Sequence, residues 1–419
     1  MDKLKLRQIC FLFAAVLPVT KLIIYPSTLS YYAKNDLLLS AAVSFLAEGV
    51  VVAAVMLLAR RTRCTLYDLL QNTFGQVTAK VVYLLLAAFL FFSALLPALE
   101  QKNFVTQILY ENVPSYLSFT PFFAVCCFAC VKGFKTVGRM ADVAMPIFAI
   151  AFAVLILLAV PHADFGALQP TGAAGARGIF SGSLFGLPWF SECLYPLLFL
   201  GHFGYEKGGL WKVLLSFFIG AGAVLLLLAV FYGIFEDLSI LTQYPLAHIA
   251  KYSTAGTTLG RVDFFFVFAL TLVYIFCLCL PLQLCVHCIR KAFPRLAPLL
   301  PALAVNAALL ALTVLFNYSF NAVQTFYMRY AFPVFLLFSY ALPFCSLLLR
   351  KTPRGEGGRE PDGQTTRHER RRTRPPRAKE RTRKRRTKEH TPPQAKERRP
   401  RRQKSASAFR GRAGRREHE

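Results

Sequence analysis

Long apolar runs separated by short polar segments follow one another from about residue 5 to residue 350. A helix needs roughly 20 apolar residues to cross the hydrocarbon core of a bilayer. The two longest linkers, 161–177 and 236–261, are too polar to cross lipid. The pattern predicts an all-α integral membrane domain over 1–350, a multi-pass protein with about ten transmembrane helices, at 8–31, 36–59, 79–101, 117–131, 140–160, 178–202, 210–235, 262–289, 296–317 and 325–349.

Lysine and arginine lie mainly on one side of this alternation, and in short loops these residues mark the cytoplasmic face. One side carries fifteen of them before the C-terminal segment, and the other side carries six. The asymmetry supports an even number of spans and predicts that both termini are cytoplasmic. The six residues on the predicted outer side are Lys34, Lys102, Arg177, Lys251, Arg261 and Arg329.

The first and sixth spans are interrupted near their centres by proline, with glycine added in the sixth. Pro18 and Pro26 lie in the first, and Gly186, Pro188 and Pro196 lie in the sixth. Proline removes a backbone donor, and the carbonyl that it frees must find another partner in lipid. Interruptions at matching positions of two halves are typical of transporters with inverted repeats. We therefore predict a five-plus-five repeat with broken helices 1 and 6; two merely kinked helices are the alternative.

Three ionisable residues, Lys21, Glu48 and Glu192, lie near the middle of predicted spans. Such groups are costly in a membrane, so we expect them to face the bundle interior. In one interpretation Lys21 holds a substrate carboxylate or changes partners when a ligand binds; in the other, a static ion pair locks spans 1, 2 and 6 together. Solvation near an outer helix end is enough to explain Glu100, and Asp142 is expected to anchor an inner end beside Arg139.

Three polar residues elsewhere in the spans are weaker candidates for a ligand site. Ser93 lies on span 3, and Thr271 and Tyr274 lie on span 8. In a fold with two broken helices, these two spans flank the central site. The alternative is that each residue bonds to its own backbone or simply packs.

Composition excludes most other classes of protein. Of the 419 residues, 55% are hydrophobic and 17% are charged, whereas soluble domains have about 25% charged residues. These values exclude a soluble globular enzyme, a disordered chain and a coiled coil. The cysteines Cys285 and Cys288 have metal-ligand spacing but no second ligand pair opposite them, so we predict no metal and no cofactor. No nucleophile–base pair or phosphate loop emerges, so an enzyme is not expected.

The net charge of +27 is concentrated at the C-terminus. Residues 350–419 carry 27 Lys and Arg against nine Asp and Glu, a net charge of +18. Residues 351–419 have almost no apolar residues, so we predict a separate, disordered polybasic tail in the cytoplasm. Such a tail attracts anionic membrane lipid at about 1 kcal/mol per nearby charge; the alternative is a solvated tail that only fixes the topology. Phe409 is its single aromatic residue, which argues against nucleic acid binding by base stacking.

Four segments, taken in order along the chain, resemble the bacterial spore-germination permease family. These permeases are the B subunits of germinant receptors, within the amino acid/polyamine/organocation superfamily. The resemblance covers roughly residues 5–350. The segments are Val19-Thr20-Lys21-Leu22-Ile23-Ile24-Tyr25-Pro26 with Asn35-Asp36, Thr65-Leu66-Tyr67-Asp68 with Phe74-Gly75 and Lys80, Lys132–Pro146, and Phe190-Ser191-Glu192.

The resemblance implies a LeuT-like fold of ten helices that recognises a small germinant, usually an amino acid, at the two unwound helices. It also implies partner A and C subunits and a place in the spore inner membrane. Thr20 and Lys21 occupy the segment where many members have Gly-x-Gly, and here a lysine ammonium replaces the backbone cradle as the counter-charge. Ser191 and Glu192 match the acidic segment of the family.

The sequence leaves three functions open. The first is a receptor subunit that binds an amino acid and signals to partners. The second is a proton- or sodium-coupled amino acid permease of the same fold, in the bacterial cell membrane. The third is a membrane anchor without transport whose basic tail recruits polyanions.

Overall fold

The chain is almost entirely helical in a computed structural model that describes residues 4–62, 64–109, 115–254 and 263–348. The predicted tail, 351–419, and its boundary with the membrane domain lie outside the described residues. No β-strand forms within those ranges; a single bridge pairs Leu4 with Phe203. The α-helices are α1 Leu6–Phe11, α2 Tyr25–Ala33, α3 Leu37–Arg61, α4 Leu66–Phe74, α5 Gln76–Phe104, α6 Ser115–Lys132, α7 Phe134–Ala159, α8 Gly175–Phe185, α9 Tyr195–Leu198, α10 Gly209–Phe235, α11 Pro245–Thr254, α12 Asp263–Ala292, α13 Leu299–Leu315, α14 Phe320–Arg329, α15 Phe332–Phe335 and α16 Leu342–Ser346.

Several of these helices are suited to a membrane, and the protein is an integral membrane protein. Among the described residues, five helical stretches are long and apolar enough to cross a bilayer, and α13 with α14 makes a sixth if this pair, bent by 112°, is one span. Two shorter apolar stretches, Phe119–Lys132 and Phe332–Ser346, do not reach that length. The five are Tyr25–Arg61, Gln76–Ile108, Phe134–His162, Gly209–Leu241 and Phe264–Ala292. The count of ten spans stays a prediction.

The first predicted span is broken, as its prolines indicate. After α1 the chain forms a π-helix, Leu12–Val16, and then a 3-10 helix, Leu17–Leu22, before α2 begins at Tyr25. Pro18 opens the 3-10 helix and Pro26 lies in the first turn of α2. A proline is tolerated in a first turn because that N–H has no helical partner. Residues 12–24 are called the first break.

The sixth predicted span is broken in the same way. Helix α8 ends at Phe185, and two 3-10 turns, Leu187–Trp189 and Glu192–Leu194, precede the short α9. Pro188 and Pro196 again occupy first-turn positions of the segments that they open. Residues 186–194 are called the second break.

The first break is packed in the middle of the bundle. It contacts α7, α10 and α12, while α5 lies along α12 and α3 lies along α10. Helix α10 approaches closely because Gly220 faces the Phe13 carbonyl and the Pro18 ring. At one end of the bundle, the Leu4 N–H donates to the His202 carbonyl at 2.9 Å, which joins the start of span 1 to the end of span 6.

The structure differs from the sequence prediction at the tenth span. A continuous helix over 325–349 is wrong, because α14 ends at Arg329 and the chain restarts at Phe332 with Pro333 in the first turn. Two polar linkers also contain helices that hydropathy did not indicate, α4 and α11. Helix α4 begins at a capping box in which Thr65 and Asp68 satisfy each other's backbone N–H groups.

Candidate functional site

The two breaks meet at a buried ion pair. The Lys21 ammonium contacts one carboxylate oxygen of Glu192. The Thr20 hydroxyl lies 2.6 Å from the other oxygen of Glu192 and 2.9 Å from the Leu17 carbonyl. All three side chains are buried. Backbone that departs from the α-helix at both breaks therefore brings a cation and an anion together inside the membrane domain.

Aromatic rings surround the Lys21 ammonium. It lies over the Phe190 ring at 4.7 Å from the centroid and over the Phe45 ring at 6.0 Å. Phe190 packs edge-on against Tyr25 and Phe45. The negative faces of such rings attract a cation, so they stabilise an ammonium where water is excluded.

Glu48 on α3 lies beside the ion pair but outside it. It lines a cavity of about 10 Å³ together with Lys21, Glu192, Phe45 and Phe217. Sequence alone left Glu48 and Glu192 as equal candidates for the partner of Lys21, and the structure pairs it with Glu192.

The weaker candidates do not contact the ion pair. The Ser93 hydroxyl donates to the Leu90 carbonyl of its own helix at 3.0 Å. The Tyr274 hydroxyl donates to the Pro97 carbonyl at 3.2 Å. Thr271 is buried, and its hydroxyl has no hydrogen-bond partner among the described residues. Ser191, next to Glu192, lies beside Tyr195.

The sequence interpretation of Glu100 as a solvated residue is wrong. Glu100 is completely buried, and the Trp189 indole N–H donates to it at 3.3 Å. The second break thus takes part in two buried contacts that involve a carboxylate. Trp189 donates to the carboxylate of Glu100, and the carboxylate of Glu192 pairs with Lys21. Hydropathy places Glu100 near a helix end but does not reveal that α12 and the second break cover it. Cys277 on α12 lies near Lys21 and Glu192; no sequence pattern indicates this, because cysteine in an apolar span usually packs as a small hydrophobe.

Asp142 also has a different partner from the expected one. Instead of Arg139, it accepts hydrogen bonds from Arg7 at 3.0 Å and Gln8 at 2.8 Å. This contact joins α7 to α1 and keeps the anchoring role that the sequence indicated.

A larger cavity of about 440 Å³ lies between α2 and α14, and we call it the α2–α14 cavity. Its lining includes Ile24, the last residue of the first break, three positions after Lys21. Ligand pockets typically measure about 300–1,000 Å³, so this cavity has room for a small molecule, unlike the one at the ion pair. Its polar and aromatic lining includes Thr28, Tyr31, Tyr32, Phe320, Gln324 and Arg329.

Solved structures with a similar fold include transporters. A mutant of the manganese transporter of Eremococcus coleocola superposes with a TM-score of 0.56 at 13% identity, over 81% of this chain and 77% of that one. A second mutant of that transporter gives 0.55 at 12% identity, over 81% and 78%. MHP1, a nucleobase-cation-symport-1 family transporter in a closed conformation, gives 0.50 at 12% identity, over 77% and 75%. At these identities the likeness shows the fold alone.

The fold and the paired breaks define an integral membrane protein with a LeuT-like fold. The family model described as "Spore germination protein" matches residues 38–332. The chain therefore belongs to the spore germination protein family, which confirms the resemblance. The match includes Glu48 and Glu192, while Lys21 and the first break precede it. A search of curated proteins returns no match.

Proposed function

We propose that the protein is the membrane B-type subunit of a spore germinant receptor, which binds an amino acid germinant where the two breaks meet and signals to partner subunits. The observation that carries this proposal is the buried pair of Lys21 and Glu192. An amino acid zwitterion carries one carboxylate and one ammonium, so it offers each side chain a replacement partner. Breaking a buried ion pair without such replacement is strongly unfavourable, which makes separation of the breaks dependent on the ligand.

The germinant enters through the α2–α14 cavity in this proposal. Arg329 supplies a positive charge at its rim, and Tyr31, Tyr32 and Phe320 supply rings that suit an ammonium group. This side of the protein faces away from the cytoplasm in the predicted orientation, with both termini cytoplasmic.

On the basis of family membership, we also propose receptor A and C subunits as the partners and the spore inner membrane as the location. The domain division at residue 350 and the attraction of the 351–419 tail to anionic lipid belong to the same proposal. Both rest on composition, since the tail has almost no residues that build a core.

The second candidate function is an amino acid permease coupled to protons or sodium ions. The observation in its favour is the transporter fold itself, since similar structures belong to transporters. Uptake of radiolabelled amino acid into proteoliposomes separates the candidates: a permease accumulates it, and a receptor subunit binds it without accumulation.

The test of the proposed site is a thermal-shift screen of the twenty amino acids with purified protein in detergent. Wild type is compared with Lys21→Ala and with Lys212→Ala, which removes an exposed lysine paired with Glu206 at 3.5 Å. A ligand at about 100 times its Kd stabilises the folded protein by about 2.7 kcal/mol. We expect one or a few amino acids to shift wild type and Lys212→Ala but not Lys21→Ala. Equal shifts in all three proteins would contradict the site.

A further inference from the structure

The charges at the breaks do not balance. The carboxylates of Glu48 and Glu192 both lie near a single ammonium, that of Lys21. Glu48 is only 1% exposed, Glu192 is 4% exposed and Lys21 is 2% exposed. If all three were ionised, the group would carry a net charge of −1 inside the membrane domain. An uncompensated buried charge is among the most unfavourable features that a protein interior can hold. One further positive charge is required.

The hydrogen bonds and ion pairs show which of the two carboxylates lacks a positively charged partner. Glu192 has the Lys21 ammonium on one oxygen and the Thr20 hydroxyl on the other. Glu48 forms no ion pair within 4.0 Å with any described residue, although Lys21 is close by. The titratable groups that face Glu48 from the neighbouring elements are Lys21, Glu192, Cys193, Tyr25 and Tyr340.

The space for a further positive charge beside Glu48 is small. The cavity that Glu48 lines measures about 10 Å³, which is close to the lower limit for a single water molecule. A hydrated metal ion or an amino acid does not fit there while the breaks are in contact. A proton is the one positive charge that needs no volume.

We infer that Glu48 holds a proton when Lys21 and Glu192 are paired, and that it keeps this proton when an amino acid enters the site. A zwitterion adds one ammonium and one carboxylate, which pair with Glu192 and Lys21, so the site is neutral only while Glu48 stays protonated. The statement about the ligand-bound state rests on the proposed function, because it needs an amino acid at the breaks. The statement about the free protein does not rest on it. Glu48 is in this view the proton site of the protein, whether it acts as a receptor or as a permease.

The first test uses ligand-free protein and two matched variants. Glu48→Gln copies the neutral acid, whereas Glu192→Gln removes the partner of Lys21. Near neutral pH we expect Glu48→Gln to keep or raise the melting temperature and Glu192→Gln to lower it. As the pH rises, wild type loses its Glu48 proton and falls below Glu48→Gln; at acidic pH the two proteins converge. A loss in Glu48→Gln as large as that in Glu192→Gln would overturn the proposal.

Infrared spectra of the ligand-free protein supply an independent readout. The carbonyl band of a carboxylic acid should be weaker in Glu48→Gln than in wild type near neutral pH, and unchanged in Lys212→Ala, which alters only an exposed ion pair. An unchanged band in Glu48→Gln would overturn the assignment. Stabilisation of wild type by sodium or potassium salts, beyond that by a bulky organic cation and absent in Glu48→Gln, would also overturn it, because a metal ion would then hold the charge.

The ligand-bound state is tested by calorimetric titration of an amino acid that shifts the melting temperature, in buffers of different ionisation enthalpy. We expect no proton to be released on binding in wild type or in Glu48→Gln. Release of one proton per ligand from wild type but not from Glu48→Gln would overturn the retained proton. If no amino acid binds, the proposed function fails, while the stability and infrared measurements still decide the protonation of Glu48.

Discussion

At the scale of residues, the site depends on a charge pair that the structure places in a fully packed interior. Lys21 meets Glu192 and the faces of two phenylalanine rings, with almost no exposure to solvent. A buried pair of this kind adds little to stability over an apolar replacement of similar size, but loss of one partner is severe. The pair is therefore better explained by ligand exchange than by stability, and this difference is measurable.

Lys21→Met alone should destabilise the protein by about 3–5 kcal/mol, because Glu192 then stays buried without its partner. The double variant Lys21→Met with Glu192→Met removes both charges and should recover most or all of that loss. Neither variant should respond to amino acids. Thermal denaturation in detergent, with and without ligand, measures both effects.

The control for this pair of variants is Lys212→Ala, which removes one member of an exposed ion pair. Exposed pairs contribute about 0–1 kcal/mol, so this variant should behave like wild type. A ligand response that survives in the double variant would contradict the role of the pair in recognition.

Sequence reasoning at this scale reached the three mid-membrane charges but not their pairing. A membrane helix that is apolar around its whole circumference gives no signal for its rotation about its own axis, so Glu48 and Glu192 were equivalent candidates. The same lack of a signal explains why the burial of Glu100 was not predicted. Its burial arises from Trp189 of the second break, 89 positions away along the chain, and no local pattern contains that contact.

At the scale of elements, proline position predicted the breaks well. Pro18, Pro26, Pro188 and Pro196 each open a new helical segment, as the missing N–H of proline requires. The same argument applied to Pro333 would have divided the tenth span. Hydropathy over 325–349 concealed that break, because residues on both sides of it are apolar.

Close packing of α10 on the first break gives a prediction at this scale. A methyl group at Gly220 would meet the Phe13 carbonyl and the Pro18 ring, whereas one at Gly222 meets nothing within 4 Å. Gly220→Ala should destabilise the protein by about 1–3 kcal/mol through overpacking. Gly222→Ala lies on the same helix and should be neutral or stabilising by up to about 1 kcal/mol.

Melting temperatures of the two alanine variants, measured side by side, check this packing. The comparison removes the helix propensity of alanine as an explanation, because both changes add the same methyl group to α10. Equal melting temperatures would mean that α10 does not press on the first break.

At the scale of the whole molecule, the α2–α14 cavity offers a route to the site from the predicted outer side. Two tryptophans are present, and Trp189 lies in the second break while Trp211 is exposed. In a Trp211→Phe background, fluorescence therefore reports on the second break alone. This makes the kinetics of ligand arrival measurable without a label.

Arg329→Gln in that background should slow association of an acidic amino acid by up to about tenfold at low salt, because a cation beside a cleft attracts a ligand with net negative charge. The dissociation rate should change little, since Arg329 lines the α2–α14 cavity and not the cavity at the ion pair. Arg177→Gln, an exposed arginine on the same predicted side but outside the cavity, serves as the control. Equal association rates in the two variants would contradict entry through this cavity.

The basic tail gives the last prediction at this scale. Its composition predicts disorder and attraction to anionic lipid, at about 1 kcal/mol per nearby charge, and this attraction is screened within about 8 Å at physiological salt. In proteoliposomes with the tail outside, trypsin should cleave the tail more slowly in anionic than in zwitterionic lipid. High salt should remove the difference.

Deletion of residues 352–419 should leave amino acid binding unchanged, because the residues that form the ion pair lie between positions 20 and 192. Equal cleavage rates in both lipids at low salt would rule out lipid as the partner of the tail, and loss of ligand binding on deletion would mean that the tail supports the site itself.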